Sequence, residues 1–298
     1  MAIIKNKIIS VLKILRLYAI TKKAYTLIVQ DSSQKVFPYN DARAIIIYNT
    51  INLIKKKNLF KDMKTILNVG SFDLLQNDNI SLGVELLNKL GFHSTKTELN
   101  AYVDTEARII SSKILWEKLG FIEIFFVDLN RKHDSIHIDM NMEIDSRVLC
   151  NKTFDVVANF GTTEHIFNQF QTFKNIHSLC QTNGLMIHSV PLQGALNHGF
   201  FNYHPNFFFD LAQANNYKIE YAGVRHKKLE NYNWIELGNI KAINNIFPKY
   251  DLGNPIIESF LKKISAYDIL AGLFILRKGD DQEFRIPLQG KYKNQGNS

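Results

Sequence analysis

Cysteine is nearly absent from this chain. Its 298 residues include only Cys150 and Cys180, too few and too far apart for a disulfide framework or a cysteine-based zinc site. A reduced, cytoplasmic setting is expected. Long apolar runs are also missing. The opening MAIIKNKIISVLKILRLYAITKK is broken by Lys13 and Arg16, which argues against a spanning helix. It also lacks the unbroken apolar region and small-residue cleavage site of a signal peptide. No Gly-x-Gly occurs anywhere, so no strand is followed by the nicotinamide fingerprint. Nor does the body carry a basic field. The net charge is +8, but residues 1–64 hold 13 Lys/Arg against 3 Asp/Glu, while the other 234 hold 23 against 25. A nucleic-acid partner is therefore not expected.

What is present suits one large α/β domain with extensions. Residues 1–60 read as a helical extension, 61–292 as the domain proper, and 293–298 as a polar tail. Within 1–23 the apolar face Ile4/Ile8/Val11/Leu15 either packs on the domain or lies on an anionic membrane surface, at the inner face of the membrane. Lys55–Lys57 read as a solvated helix end. Strands are predicted at Thr65–Gly70, Ile122–Val127, Ser135–Ile138, Phe154–Phe160, Leu185–Val190, Tyr217–Val224 and Ala271–Leu276. Helices are predicted at Leu82–Leu90 before Gly91, at Thr105–Leu119 before Gly120, at Phe167–Leu179, and at Phe207–Asn215 opened by Pro205-Asn206. Near-continuous apolar strands alternating with helices point to a doubly wound, mostly parallel sheet. The segments near 75–103 and 226–268 fit this plan least and read as helical insertions.

The densest signal is FDVVANFGTTEHIFNQFQTFKNIHSLCQTNGLMIHSVP, residues 154–191. Two buried-strand patterns flank a helix-length segment ending in an Asn183-Gly184 turn. The first strand runs into a polar loop where ligands of open α/β sheets bind. This stretch resembles the fourth and fifth strands of class I S-adenosylmethionine-dependent methyltransferases. GTTEHIFN (161–168) and NHGFFNYHP (197–205) resemble a bacterial subgroup with the pattern GTxEHxxN…HGxxNxxP, many of whose members are tied to surface polysaccharides or specialised metabolites. The resemblance spans about residues 65–225. It implies a seven-stranded Rossmann-like methyltransferase sheet, S-adenosyl-L-methionine as cofactor and no metal.

Carried over residue by residue, the resemblance makes TILNVGSFD the first strand and glycine loop. Only Gly70 remains of the family's three glycines there, and Asn68 stands at the acidic place. Asp128, ending the second strand, would accept the ribose hydroxyls, to which a carboxylate offers two oxygens. It lies 58 residues beyond Gly70 where about 20 is usual, so an insertion must intervene. As a bare strand-end residue, Asp128 reads equally as a turn or cap. Asp139 and Met140 would meet the adenine, and Phe160 would border the same pocket. The base-extruding NPPY-type loop of nucleic-acid methyltransferases is missing: at the matching place the chain reads Asn159-Phe160-Gly161-Thr162, which argues against a nucleic-acid methyltransferase.

Methyl transfer to a hydroxyl needs in-line contact and a base, and histidine has the fitting pKa. His165 is the first choice and His198 the second, with Glu164 orienting or polarising one of them; His204 also falls on these loops. A structural role is the alternative for each: His165 and Glu164 starting a helix, His204-Pro205 turning into one. These histidines and Glu164 would also suit a divalent metal, although no His pair at i, i+4 supports it. Phe200, Phe201, Tyr203, Phe207, Phe208 and Phe209 read mostly as core, with some lining an acceptor pocket. The expected activity is O-methylation of a sugar, polysaccharide precursor or other small molecule. The competing expectation is a catalytically inactive scaffold of the same fold.

Overall fold

The computed structural model describes residues 42–76, 79–130, 134–195, 197–226, 234–237 and 269–289. The basic segment 1–23, nearly all of the 226–268 insertion and the 293–298 tail lie outside the described residues. Helices are α1 (Ala42–Lys56), α2 (Ile80–Lys89), α3 (Lys96–Asn100), α4 (Lys113–Lys118), α5 (Gln169–Leu179) and α6 (Pro205–Ala214). Strands are β1 (Thr65–Val69), β2 (Asp73–Gln76), β3 (Val103–Asp104), β4 (Ile109–Ser111), β5 (Glu123–Asp128), β6 (Ile136–His137), β7 (Phe154–Phe160), β8 (Cys180–Gln193), β9 (Lys218–His226), β10 (Ile235–Glu236) and β11 (Leu270–Arg277). None of the described helices is long and apolar enough to cross a membrane.

The central sheet runs β10-β9-β11-β8-β7-β1-β5-β6. TILNV, EIFFVD and FDVVANF are mostly apolar and pair in parallel: β1 with β5 and with β7, β5 with β6, β7 with β8. Only β11 and the short β10 run antiparallel to the other strands, β11 sitting between β8 and β9. The architecture is the expected doubly wound, mostly parallel Rossmann-like sheet. It has eight strands rather than seven, the extra one being the two-residue β10 at the edge. From β1 the chain winds outward through β5 and β6 on one side and through β7 and β8 on the other. The strand order therefore reverses between β1 and β7, which is where a doubly wound sheet opens a crevice at its carboxyl edge.

The opposite edge is fixed by the Asp of the FDVV run. Asp155 Oδ2 accepts from Lys64 N (2.7 Å), Thr65 N (2.8 Å) and Thr65 Oγ1 (3.0 Å), clamping the start of β1 to the start of β7. In the core, Phe208 of α6 stacks on Phe274 of β11 with centroids 4.1 Å apart.

Three local expectations change. Thr105–Leu119 is not one helix. Ile109-Ile110-Ser111 is buried and pairs with β2 and β3 in a separate antiparallel sheet, ordered β2-β4-β3. Arg108 turns the chain at φ 54°, and only α4 is helical before Gly120, which stops it at φ 94°. A bulky β-branched pair gains more by filling this sheet than by continuing a helix. The insertion thus contains strands as well as helices and reaches to residue 111.

The Asn183-Gly184 turn lies inside β8. Between the pairs Phe154↔Cys180 and Val156↔Leu185 the strand accommodates four residues opposite one. Asn183 takes φ 65° and donates to Lys278 O (2.9 Å), while Lys278 N donates to Gly184 O (3.0 Å). The Lys55–Lys57 run does end α1, but Lys55 is more than a solvated charge. Its Nζ donates to Leu90 O (2.5 Å) at the end of α2 and sits 4.7 Å from the Phe92 ring centroid.

Candidate active site

The crevice is built from the loops that leave β1 and β7. Gly70 follows β1 with φ 91°, its N donating to Val127 O (2.7 Å). A Cβ at this position would lie 2.1 Å from Thr162 Oγ1. Glycine is therefore required twice, by the left-handed backbone and by close loop approach. Thr162 belongs to the β7 loop, so the two loops touch at the crevice floor.

Asp128, at the end of β5, reaches the first loop. Its Oδ2 accepts from Ser71 N (2.6 Å) and its Oδ1 from Asn130 N (3.1 Å). Each oxygen retains a further lone pair. The turn role expected of a strand-end Asp and a place beside the glycine loop are thus combined in one residue. Phe160, at the end of β7, stacks on Phe72 of the first loop at 4.5 Å and 19°, with the buried Trp116 ring 6.1 Å from Phe160. Gly70, Asp128 and Phe160 accordingly come together.

Two other residues are placed differently. Asp139 is exposed, with Oδ1 accepting from Asn141 N (2.9 Å) and Nδ2 (2.8 Å). Met140 packs into the core beside Val127, Ile138 and Phe173, and its carbonyl accepts from Thr172 Oγ1 and Asn175 Nδ2, each at 3.3 Å. Asn68, at the family's acidic place, is buried in mid-strand and donates to Phe125 O (3.2 Å), tying β1 to β5.

The β7 loop carries the chemistry. A 3-10 turn, Thr163–His165, follows Gly161. The segment 197–201 docks on it: Phe200 N and Phe201 N donate to Glu164 O at 2.8 and 3.2 Å. A Cβ on Gly199 would lie 2.8 Å from that same oxygen, which explains the glycine of the HGFF run. This docking brings His198 to Glu164 across 34 residues of sequence. The Glu164 side chain is 1% exposed, with Oε1 3.4 Å from His198 Nε2 and Oε2 without a hydrogen-bond partner. Burial raises its pKa above the usual carboxylate range, and the interaction with His198 opposes this only in part. His165 meets His198 edge to face, with ring centroids 4.7 Å apart. Burial lowers the His165 pKa, and positive charge on His198 lowers it further. All three predicted catalytic side chains therefore converge. His204 does not serve that way: its Nδ1 accepts from Asn206 N (3.2 Å), making it the N-cap of α6, with Pro205 at the first helical position.

Beneath this cluster lies a buried polar scaffold that sequence reasoning missed. Asn159, fully buried in β7, accepts from Thr162 N (3.1 Å) and Thr163 N (3.2 Å) and donates to Thr163 Oγ1 (2.8 Å). Tyr203 Oη lies 3.0 Å from that Oγ1 and donates to Gln169 Oε1 (2.6 Å). The available signal was Asn159 itself, a polar residue interrupting an apolar strand just before the loop. At the rim, Phe167 and Phe200 are 74% and 69% exposed and meet edge to face at 6.1 Å.

No model of a known protein family matches the sequence, and no curated protein matches it. Solved structures do. An S-adenosylmethionine-dependent methyltransferase from Archaeoglobus fulgidus is 16% identical, with 77% of this chain and 93% of that one covered and a TM-score of 0.38. The O-methyltransferase of a trans-AT PKS multienzyme from Brevibacillus brevis, solved with S-adenosyl-L-homocysteine, is 14% identical over 83% of each chain, with a TM-score of 0.34. A methyltransferase described as putative, from Bacillus halodurans, is 9% identical over 76% of this chain and 99% of its own, with a TM-score of 0.38. At these identities and scores the likeness settles no chemistry, which rests on the side chains of this chain.

Proposed function

We propose that the chain is an S-adenosylmethionine-dependent O-methyltransferase acting on a sugar, a polysaccharide precursor or another small hydroxyl-bearing molecule. The observation that carries this reading is the convergence of Glu164, His165 and His198 on the β7 loop, which touches the Gly70 loop at the sheet's switch point. The donor set suits the cofactor. Asp128 offers carboxylate lone pairs to a ribose diol, while Phe72 and Phe160 offer an apolar wall beside it. Met140 and Asp139 remain candidates for the adenine side. When bound, S-adenosylmethionine supplies an electrophilic methyl group to the acceptor oxygen.

The chain's own residues do the rest. A depressed pKa keeps the His165 imidazole neutral at pH 7, so its free nitrogen can take the acceptor's hydroxyl proton. Glu164, held in place by the docked 197–201 segment, orients His198, and His198 in turn packs against the His165 ring. The exposed Phe167–Phe200 pair gives an acceptor with an apolar face, such as a sugar ring, a surface to lie on.

Calorimetric titration with S-adenosylmethionine and S-adenosylhomocysteine tests the reading. Micromolar binding is expected, lost in Asp128→Ala and retained in His165→Ala. With an acceptor in hand, His165→Ala should lower turnover by about 10²-fold. Failure of both ligands to bind would leave the catalytically inactive scaffold as the better reading.

A further inference from the structure

We propose that Glu164, His165 and His198 form a binding site for a first-row divalent cation of the zinc type. The donor set is two imidazoles and one carboxylate, and the ligating atoms all lie within 4.8 Å of one another. Among the described residues no other group of three or more His, Cys, Asp or Glu side chains gathers in this way. Two observations separate this cluster from an ordinary hydrogen-bonded trio.

The first is Glu164. A carboxylate that is 1% exposed normally has both oxygens satisfied, because burying an unpaired charge is costly. Here Oε2 has no hydrogen-bond partner, and beyond its own backbone amide the carboxylate has only His198, 3.4 Å from Oε1, to offset its burial. A cation bound to this carboxylate would compensate its burial. The second is spacing. The 3.4 Å between Glu164 Oε1 and His198 Nε2 is long for a charge-assisted hydrogen bond, which favours about 2.7–2.9 Å. It matches two ligands of one tetrahedral ion, about 3.3 Å apart for bonds of about 2.0–2.1 Å. His165 must close the remaining gap by side-chain rotation, and it is exposed enough to do so.

The backbone presents these ligands together. Glu164 and His165 share one 3-10 turn, and His198 is delivered by the segment whose amides bind Glu164 O. Two histidines and a glutamate leave coordination positions open, as catalytic rather than structural zinc sites do. Imidazole favours zinc, iron or nickel over magnesium and calcium. An ion there would lower the pKa of a coordinated hydroxyl and so take over the proton-removing task, because ligated imidazoles have no free lone pair for it. That catalytic role rests on the methyltransferase reading; the binding itself does not.

The test uses full-length, tag-free protein stripped with chelator and titrated calorimetrically with Zn²⁺, with Mg²⁺ as the hard-cation control. Co²⁺ absorption provides a spectroscopic readout of tetrahedral ligation. One Zn²⁺ per chain is expected, with affinity falling at least tenfold in Glu164→Gln and in His198→Ala, and Mg²⁺ not competing. His198 is half exposed, so its replacement should fold even if Glu164→Gln does not; circular dichroism checks both. No binding, or stoichiometric binding unchanged in a folded His198→Ala, overturns the site. Cofactor binding is measured on the same samples. Zinc binding without cofactor binding would retain the site and refute the methyltransferase. The converse would refute the site alone.

Discussion

Lowering the pH from 7 to 5 should cost the fold about 2 kcal/mol through a single side chain, His188. This residue lies on β8, fully buried, between the rings of Phe173 at 5.5 Å and Phe208 at 5.2 Å. Its Nδ1 is 3.4 Å from Asn159 Nδ2, and its Nε2 has no partner. Burial alone pushes its pKa down to about 3 from the ordinary 6.5. Below pH 6.5 the unfolded chain therefore carries a proton at this position that the folded chain refuses. The stabilisation is complete above that pH and is lost progressively as the pH falls toward 3. At pH 5, about 1.5 pH units below the unfolded value, the loss is about 2 kcal/mol. Glu164 acts in the opposite sense: with its pKa raised by burial, acid relieves a buried charge and adds stability. A difference measurement removes it and every other shared group. Urea unfolding at pH 7 and pH 5 should show wild type losing about 2 kcal/mol more than His188→Phe, whatever the variant's baseline stability. Equal losses would mean that the imidazole accepts a proton in the folded state, and would refute the reasoning.

Three more outcomes follow from contacts described above. Gly70→Ala should destabilise by about 1–3 kcal/mol, and adding Thr162→Ala should recover the steric part but not the cost of φ 91°, as read by urea midpoints. Lys278 is 2% exposed, with Nζ donating to His177 O (3.1 Å) and Cys180 O (3.0 Å) at the end of α5. Lys278→Met should cost about 2 kcal/mol or more by leaving those carbonyls unpaired; an unchanged midpoint would show that water replaces the ammonium. Tyr203→Phe should cost about 1 kcal/mol by removing the hydroxyl between Gln169 and Thr163. Cofactor affinity should be unaffected in a calorimetric titration, because neither Gly70 nor Asp128 contacts that hydroxyl.

The strands that frame the crevice were legible because parallel strands covered on both faces are dominated by apolar residues, as TILNV, IEIFFV and FDVVANF are despite polar interruptions such as Asn68, Asp155 and Asn159. Helix ends were legible wherever glycine takes a left-handed conformation, as at Gly91 (φ 86°) and Gly120. The Ile109–Ser111 strand was not, because its partners β2 and β3 are set by tertiary packing and its apolar spacing also fits a helix. Cys180 reads as a core residue and is one, buried with its thiol pushed up to about 12, yet it opens β8 rather than ending α5. The convergence of Glu164 with His165 followed from the rule that strand ends carry chemistry. The approach of His198 and the burial of Glu164 did not, since both depend on two backbone amides, Phe200 and Phe201, finding one carbonyl. Lys278 gives no sign in the sequence of being buried, because two of its partners are main-chain oxygens and the third, Asp281, reads as an ordinary exposed i,i+3 pair.

The contact between Gly70 and Thr162 has a consequence for regulation. With no side chain on Gly70 the two loops approach closely, and Thr162 leads in two residues to Glu164. Occupancy on the Asp128 side and occupancy on the histidine side would then bias one shared loop arrangement. Binding reciprocity requires that whatever one ligand does to the affinity of the second, the second does equally to the first. A glycine that looks like a packing detail would then couple the two halves of the crevice, and cofactor affinity measured with and without an acceptor reads that coupling.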